Sequence, residues 1–169
     1  MDIFETLHTR RSIRKFTGED VSDEQVQELL KAAMDAPSAG NQQPWHFIVV
    51  RDREILTAIE GWHPYSKMLR KASLAIIVCA DKSLEKYKDY WPQDCSAATL
   101  NILLAARGME LGAVWCGIYP MEDRMKGASE MFKLPESVVP LSLIPIGVPD
   151  QPSRTVDRFR EDRIHLDRW

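Results

Sequence analysis

Four strand candidates interleaved with helices predict a single α/β or α+β domain. Three observations carry that prediction. The chain has 169 residues, a length that suits one domain of about 100–200 residues. A continuous apolar run at 74–80 reads as a strand covered on both faces. Helical periodicity returns on either side of it, with no internal repeat, low-complexity tract or long linker.

The elements follow in order. Residues 2–9 read as a short helix, with Ile3, Phe4 and Leu7 on one face. Ser22 opens the next helix, and Gln25 three residues on completes a capping box. Val26, Leu29, Leu30 and Ala33 repeat at helical spacing until Pro37 stops the helix. Residues 37–44 are a loop by composition. Residues 45–50 are rich in β-branched and aromatic side chains and predict a strand. Asp52 opens a short helix that ends near Gly61. Residues 93–111 form the longest predicted helix, apolar around nearly its whole circumference, so it belongs in a core or a subunit interface. Gly112 is expected to end it, and 113–118 to return as one strand. A helix over 122–132 precedes the last strand at 141–146. Pro140 and Pro145 mark that strand as an edge or a bulge, because proline cannot donate to the ladder. From Pro149 onward the chain is charged and short of aliphatics. This predicts a domain over 1–150 and a C-terminal arm over 151–169, whose Phe159, Ile164, Leu166 and Trp169 favour lying across another surface.

Composition excludes several classes. There are 22 Lys and Arg against 25 Asp and Glu, a net charge of −3. That balance argues against nucleic acid as a partner. No apolar run approaches the ~18–20 residues of a membrane span, and Asp2, Glu5, His8 and Arg10 interrupt any signal-peptide core. Cys79, Cys95 and Cys116 are odd in number and widely spaced, so neither a disulfide framework nor a cysteine zinc site is expected. The four histidines form no ligand motif, and no metal is expected. A reducing cytoplasm is the simplest location.

Four segments could carry chemistry. Arg10, Arg11 and Arg14 surround Ser12 in an otherwise acidic chain, and guanidinium forks match phosphate or carboxylate oxygens. An extended backbone would turn Arg10, Ser12 and Arg14 to one side. A solvated basic turn is the plain alternative. The loop Pro37, Ser38, Ala39, Gly40, Asn41, Gln42, Gln43 offers backbone groups and amides that can read the edge of a flat heterocycle. An ordinary connecting loop has the same composition. Trp115, Cys116 and Gly117 follow a buried strand, where Gly117 permits close approach of a ligand. Cys116 has no histidine base near it in sequence and reads as packing rather than as a nucleophile. Arg158 could add a fourth guanidinium from the arm. There is no G-x-G-x-x-G and no phosphate loop of the Walker type.

R-R-S-I-R at 10–14, P-S-A-G-N-Q-Q-P-W-H-F at 37–47, G-A-V-W-C-G-I at 112–118, P-I-G-V-P at 145–149 and a terminal D-R-F…I-H-x-D-R-W occur in that order. Together they resemble the nitroreductase family of FMN-dependent oxidoreductases, over essentially the whole chain. The resemblance implies an α+β fold with a mostly antiparallel central sheet flanked by helices. It implies a homodimer whose long helix forms the interface and whose arms wrap the partner. FMN would be shared between subunits, with NADH or NADPH as co-substrate and flat acceptors such as nitroaromatics or quinones reduced in ping-pong fashion. Arg10, Arg11, Ser12, Arg14 and Arg158 would hold phosphate and ribityl. Pro37, Ser38, Ala39 and Asn41 would reach the flavin of the other subunit. Trp115, Cys116 and Gly117 would lie beside the isoalloxazine, at a place where relatives often carry Glu-Gly. Lys67 is the candidate for a further flavin contact. The flavin would carry the redox chemistry, so no catalytic side chain is assigned. Trp62, Tyr65, Tyr87, Tyr90 and Trp91 would line the slot above it. The same family supports other redox reactions, and a non-catalytic flavin-binding module would use the same basic clusters.

Overall fold

The computed structural model describes residues 2–153 and 155–169. Arg154, one of the arm cations, lies outside them. Five α-helices occur among the described residues: α1 (Ile3–Thr9), α2 (Asp23–Met34), α3 (Arg53–Ala58), α4 (Trp91–Gly108) and α5 (Glu122–Phe132). Five strands accompany them: β1 (Trp45–Val50), β2 (Leu74–Asp81), β3 (Gly112–Ala113), β4 (Cys116–Gly117) and β5 (Val138–Gly147). The strand order is β1-β2-β5-β3, with β4 also on β5. Every strand pair is antiparallel. The architecture is therefore α+β, with an antiparallel sheet between two helical layers.

Strand β2 shows why. Its side chains alternate across the sheet. Leu74, Ile76, Val78 and Ala80 enter the apolar cluster beneath α2 and α4. Ala75, Ile77 and Cys79 enter the opposite cluster with Leu56, Leu69 and Ala128. A strand apolar at every position thus belongs in the centre of a sheet covered on both faces. The expected capping box is present at Ser22 and Gln25.

Strand β5 corrects one expectation. It is central, paired with β2 on one side and with β3 and β4 on the other, so it is no edge. The bulge is real: the register shifts at Val78/Cys79, opposite the stretch from Pro140 to Ser142. At Pro145 the carbonyl accepts from Val114 N. Backbone N and O of one strand residue point the same way, so the missing N–H of Pro145 faces the same neighbour. The expected single strand at 113–118 is accordingly split into β3 and β4, with Val114 and Trp115 between them. Gly112 opens β3 rather than ending α4, which stops at Gly108. Gly112 is needed there because a Cβ would lie 2.6 Å from the Ile13 side chain.

Helix α4 buries Trp91, Cys95, Ala98, Ile102 and Ala106 along one stripe. Its other face carries Leu100, which is 44% exposed. It begins two residues before the expected start, with Pro92 in its first turn, where the missing N–H costs nothing. The chain after β5 runs back along residues 9–16. Phe16 bridges to Pro149, Asp150 N donates to Lys15 O, and Ser153 Oγ donates to Thr9 O. Beyond that contact the described arm residues are exposed, with Trp169 fully so.

Candidate functional site

The arginine corner forms where the returning chain meets the segment after α1. Ile13 and Phe16 are buried and anchor this segment beside β3: Ile13 N donates to Ala113 O, and Ser12 bridges to Ala113. Gln151 Oε1 accepts from the backbone N of both Arg14 and Lys15. Arg11 Nη1 donates to Arg10 O at 2.6 Å, and its Nη2 to Val156 O at 3.3 Å. Arg11 Nε is buried with no partner. Burial, and then the positive charges of Arg11 and Arg158, push the Arg10 guanidinium below its usual pKa. Arg10 thus lies within reach of the charges of Arg11 and Arg158, and among the described residues none of the three has a carboxylate within ion-pair distance. Leu103 and Arg107 of α4 floor the hollow beside them.

A second constellation surrounds Gly117. Its carbonyl accepts from Arg124 Nη1 at 2.8 Å and from His63 Nε2 at 3.1 Å. His63 Nδ1 accepts from Tyr65 N. Both ring nitrogens are thus used by the neutral Nε2–H tautomer. Burial lowers the pKa of His63 below 6.5, and the charge of Arg124 lowers it further. The Arg124 guanidinium lies 5.3 Å from the centre of the Tyr65 ring. Cys116 is buried, its Sγ 3.7 Å from Tyr65 O. Burial pushes its thiol up to about 11, although Arg14 and Arg124 pull the other way. It is a protonated thiol at neutral pH, not a nucleophile. Nothing packs closely against the hydrogen of Gly117, so a planar ligand can approach the backbone there.

The third piece is the loop at 37–44. Buried Asp94 of α4 accepts from Ala39 N at 2.9 Å and from Gln42 Nε2 at 2.6 Å. Gln42 Oε1 accepts from Lys86 N and Tyr87 N. Gln42 is only 6% exposed, so it holds the loop and does not read a ligand. Gly40 has φ +52 and touches Tyr87 where a Cβ would stand. Pro37 and Asn41 are left exposed.

The expected site residues thus fall into three groups. Arg10, Arg11 and Arg158 share one corner, with Ser12 next in the chain. Arg14 lies close enough to Cys116 for its charge to act on that thiol, which places it toward the Gly117 group with Trp115. Pro37, Ser38, Ala39 and Asn41 belong to the Asp94 end of α4. Asp94 and Arg107 are 13 residues apart on one helix, which at the α-helical rise is about 20 Å. The expected aromatic slot is not one cluster. Trp91 is buried in the core, Tyr87 and Tyr90 pack edge to face by the loop, and Trp62 and Tyr65 flank His63. Lys67 lies beside Glu60, whose carboxyl it helps hold low. A concavity of about 720 Å3 lies elsewhere, between Val21, Arg53 and Ser73. Its arginines are committed: Arg51 to Asp23, Arg70 to Glu60, and Arg53 to the carbonyls of Leu69 and Ala72.

Sequence reasoning missed Asp94, His63 and Arg124. Asp94 had a readable signal, an acid on the face of α4 that carries Trp91, Cys95 and Ala98. His63 and Arg124 had none, because both act through the carbonyl of a residue more than five positions away.

Fold and site together define an α+β protein with a corner of guanidiniums that lack carboxylate partners and, apart from it, an open glycine backbone. The chain belongs to the nitroreductase family, whose model matches residues 7–63 and 60–148. It is 53% identical over 169 residues to a Methanothermobacter thermautotrophicus protein named as an NADH dehydrogenase/NAD(P)H nitroreductase, covering 100% of this chain and 88% of that one. It superimposes on an FMN-dependent nitroreductase from Clostridium difficile with a TM-score of 0.91 at 30% identity, covering 98% and 99% of the two chains. A Desulfovibrio desulfuricans protein solved in complex with FMN gives a TM-score of 0.85 at 29% identity, over 100% and 98%.

Proposed function

We propose that the chain is an FMN-dependent oxidoreductase that takes hydride from NADH or NADPH and reduces flat acceptors such as nitroaromatics or quinones. The observation that carries this reading is the arginine corner. A guanidinium repelled by two others and paired with no carboxylate, beside a buried Nε lacking any acceptor, fits a phosphate dianion. Arg10, Arg11, Ser12 and Arg158 hold that phosphate. Arg14 places a permanent positive charge near the ring, where negative charge gathers on reduction. Trp115, Cys116 and Gly117 flank the ring, and Cys116 remains a neutral thiol. FMN, when bound, accepts hydride and passes electrons on. The chain supplies orientation and charge, and one open face serves donor and acceptor in turn.

The working unit is a homodimer. Ile3 and Phe4 of α1 are more than half exposed, Leu100 of α4 is 44% exposed, and Phe159, Leu166 and Trp169 of the arm are bare. Exposed apolar groups in such number mark a contact surface. The arm over 151–169 wraps the second protomer, and Pro37, Ser38, Ala39 and Asn41 reach from one protomer to the flavin of its partner. No described helix is long and apolar enough to cross a membrane, and three free thiols suit the reducing cytoplasm.

The test compares FMN with riboflavin on stripped protein by fluorescence titration. Two charge-assisted hydrogen bonds are each worth about 1.5–3 kcal/mol, so FMN should bind at least ~100-fold tighter. Equal affinity would contradict the phosphate assignment.

A further inference from the structure

The Gly117 end carries two guanidiniums, Arg14 and Arg124, and the phosphate reading uses neither. Both charges reach the Cys116 thiol. Among the described residues neither side chain has an ion-pair partner. The other titratable groups here are neutral: His63 is a satisfied imidazole, and Cys116 keeps its proton. Glu122 and Asp123, on the helix of Arg124, are exposed and make no ion pair with it. Arg124 is turned inward and half-buried. One of its five N–H groups is given to Gly117 O, and Tyr65 supports its flat face. The remaining N–H groups form an oriented fork without an acceptor. Tyr65 is 67% exposed and Trp115 37%, so aromatic surface and solvent access lie beside that fork.

We infer that Arg124 selects acceptors that carry an anionic group, so that the preferred substrates are planar aromatics bearing a carboxylate. The inference rests on the flavin reading above and adds the substrate class. The ring of the acceptor lies beside Tyr65 and the flavin platform, and its carboxylate meets the fork of Arg124. Such bonds are stronger than neutral ones and favour two-point geometry.

The experiment is a binding titration on the oxidised holoenzyme, without NAD(P)H, followed by perturbation of the flavin absorbance. The probes are 4-nitrobenzoate and 4-nitrobenzamide, which differ in charge and little in shape. In the unmodified protein 4-nitrobenzoate should bind about tenfold tighter. Arg124→Met should bring that ratio close to one, and Arg124→Lys should leave it between the two. If Arg124 merely propped the Gly117 carbonyl, both probes would weaken together and the ratio would hold, which would overturn the inference. Equal affinity in the unmodified protein would overturn it too, leaving the flavin reading intact if NAD(P)H still bleaches the flavin. A protein that takes up no FMN would overturn both.

Discussion

At the Gly117 end, the buried groups are satisfied, and what is left over lies in the guanidiniums of Arg14 and Arg124. Both nitrogens of His63 are bonded, the Gly117 carbonyl has two donors, and Cys116 is buried as a neutral thiol. At the arginine corner the buried groups are not all satisfied. Arg11 and Arg158 both repel the charge of Arg10, and Arg11 Nε is buried without an acceptor. Buried polar groups are nearly always paired, so the two ends teach different things. The first is a platform built before any ligand arrives. The second keeps an orphaned donor and uncompensated charge, which the proposed phosphate would complete.

The largest expected effect is at the unfinished end. Arg10→Ala with Arg158→Ala should weaken FMN binding by ~100-fold or more, at about 1.5–3 kcal/mol for each charged contact. Riboflavin affinity should change little, and fluorescence titration of both ligands reads the difference. A loss shared equally by both would mean that the corner is merely structural.

Next comes the loop that Asp94 fastens. Asp94→Asn turns an amide N–H toward the donors at Ala39 or Gln42. Leaving one buried donor unmatched should cost about 2 kcal/mol, seen as a Tm drop of about 4–8 °C. An unchanged Tm would mean that the loop is held by other contacts.

His63 gives a smaller effect with a definite sign. Its folded pKa is lowered from 6.5, so the native state stays neutral while the unfolded chain takes a proton. Its stabilising contribution is full above pH 6.5 and is lost as pH falls through that value toward the folded pKa. The loss is at most about 1.4 kcal/mol per pH unit. Urea midpoints at pH 7.5 and 5.5 should differ less in His63→Gln than in the unmodified protein. An equal difference would place the titration elsewhere.

The smallest effect is an absence of reaction. Burial pushes Cys79 up to about 12 and Cys116 to about 11, and raises Cys95 as well. A disulfide reagent at pH 8 should therefore leave the native protein untouched over minutes and titrate all three thiols in denaturant. Rapid labelling of one native thiol would show that the platform opens.

Local chemistry made much of the fold legible. The capping box at Ser22, the all-apolar β2 and the bounds of β1 and α5 follow from neighbours in the chain. What was not legible depends on distant partners. Pro145 sits in a central strand because its missing N–H coincides with the gap between β3 and β4. Gln42 looked like a ligand reader and is a structural tie, because Asp94 lies 52 positions away. The arginine corner was legible as charge, but only the returning chain brings Arg158 close enough for its charge to act on Arg10.

The most direct test is anaerobic titration of the FMN-loaded protein with NADH and with NADPH, followed at the visible flavin band. Bleaching by at least one nucleotide, reversed by a nitroaromatic or quinone, is the predicted result. A flavin that stays oxidised with both nucleotides would contradict the account.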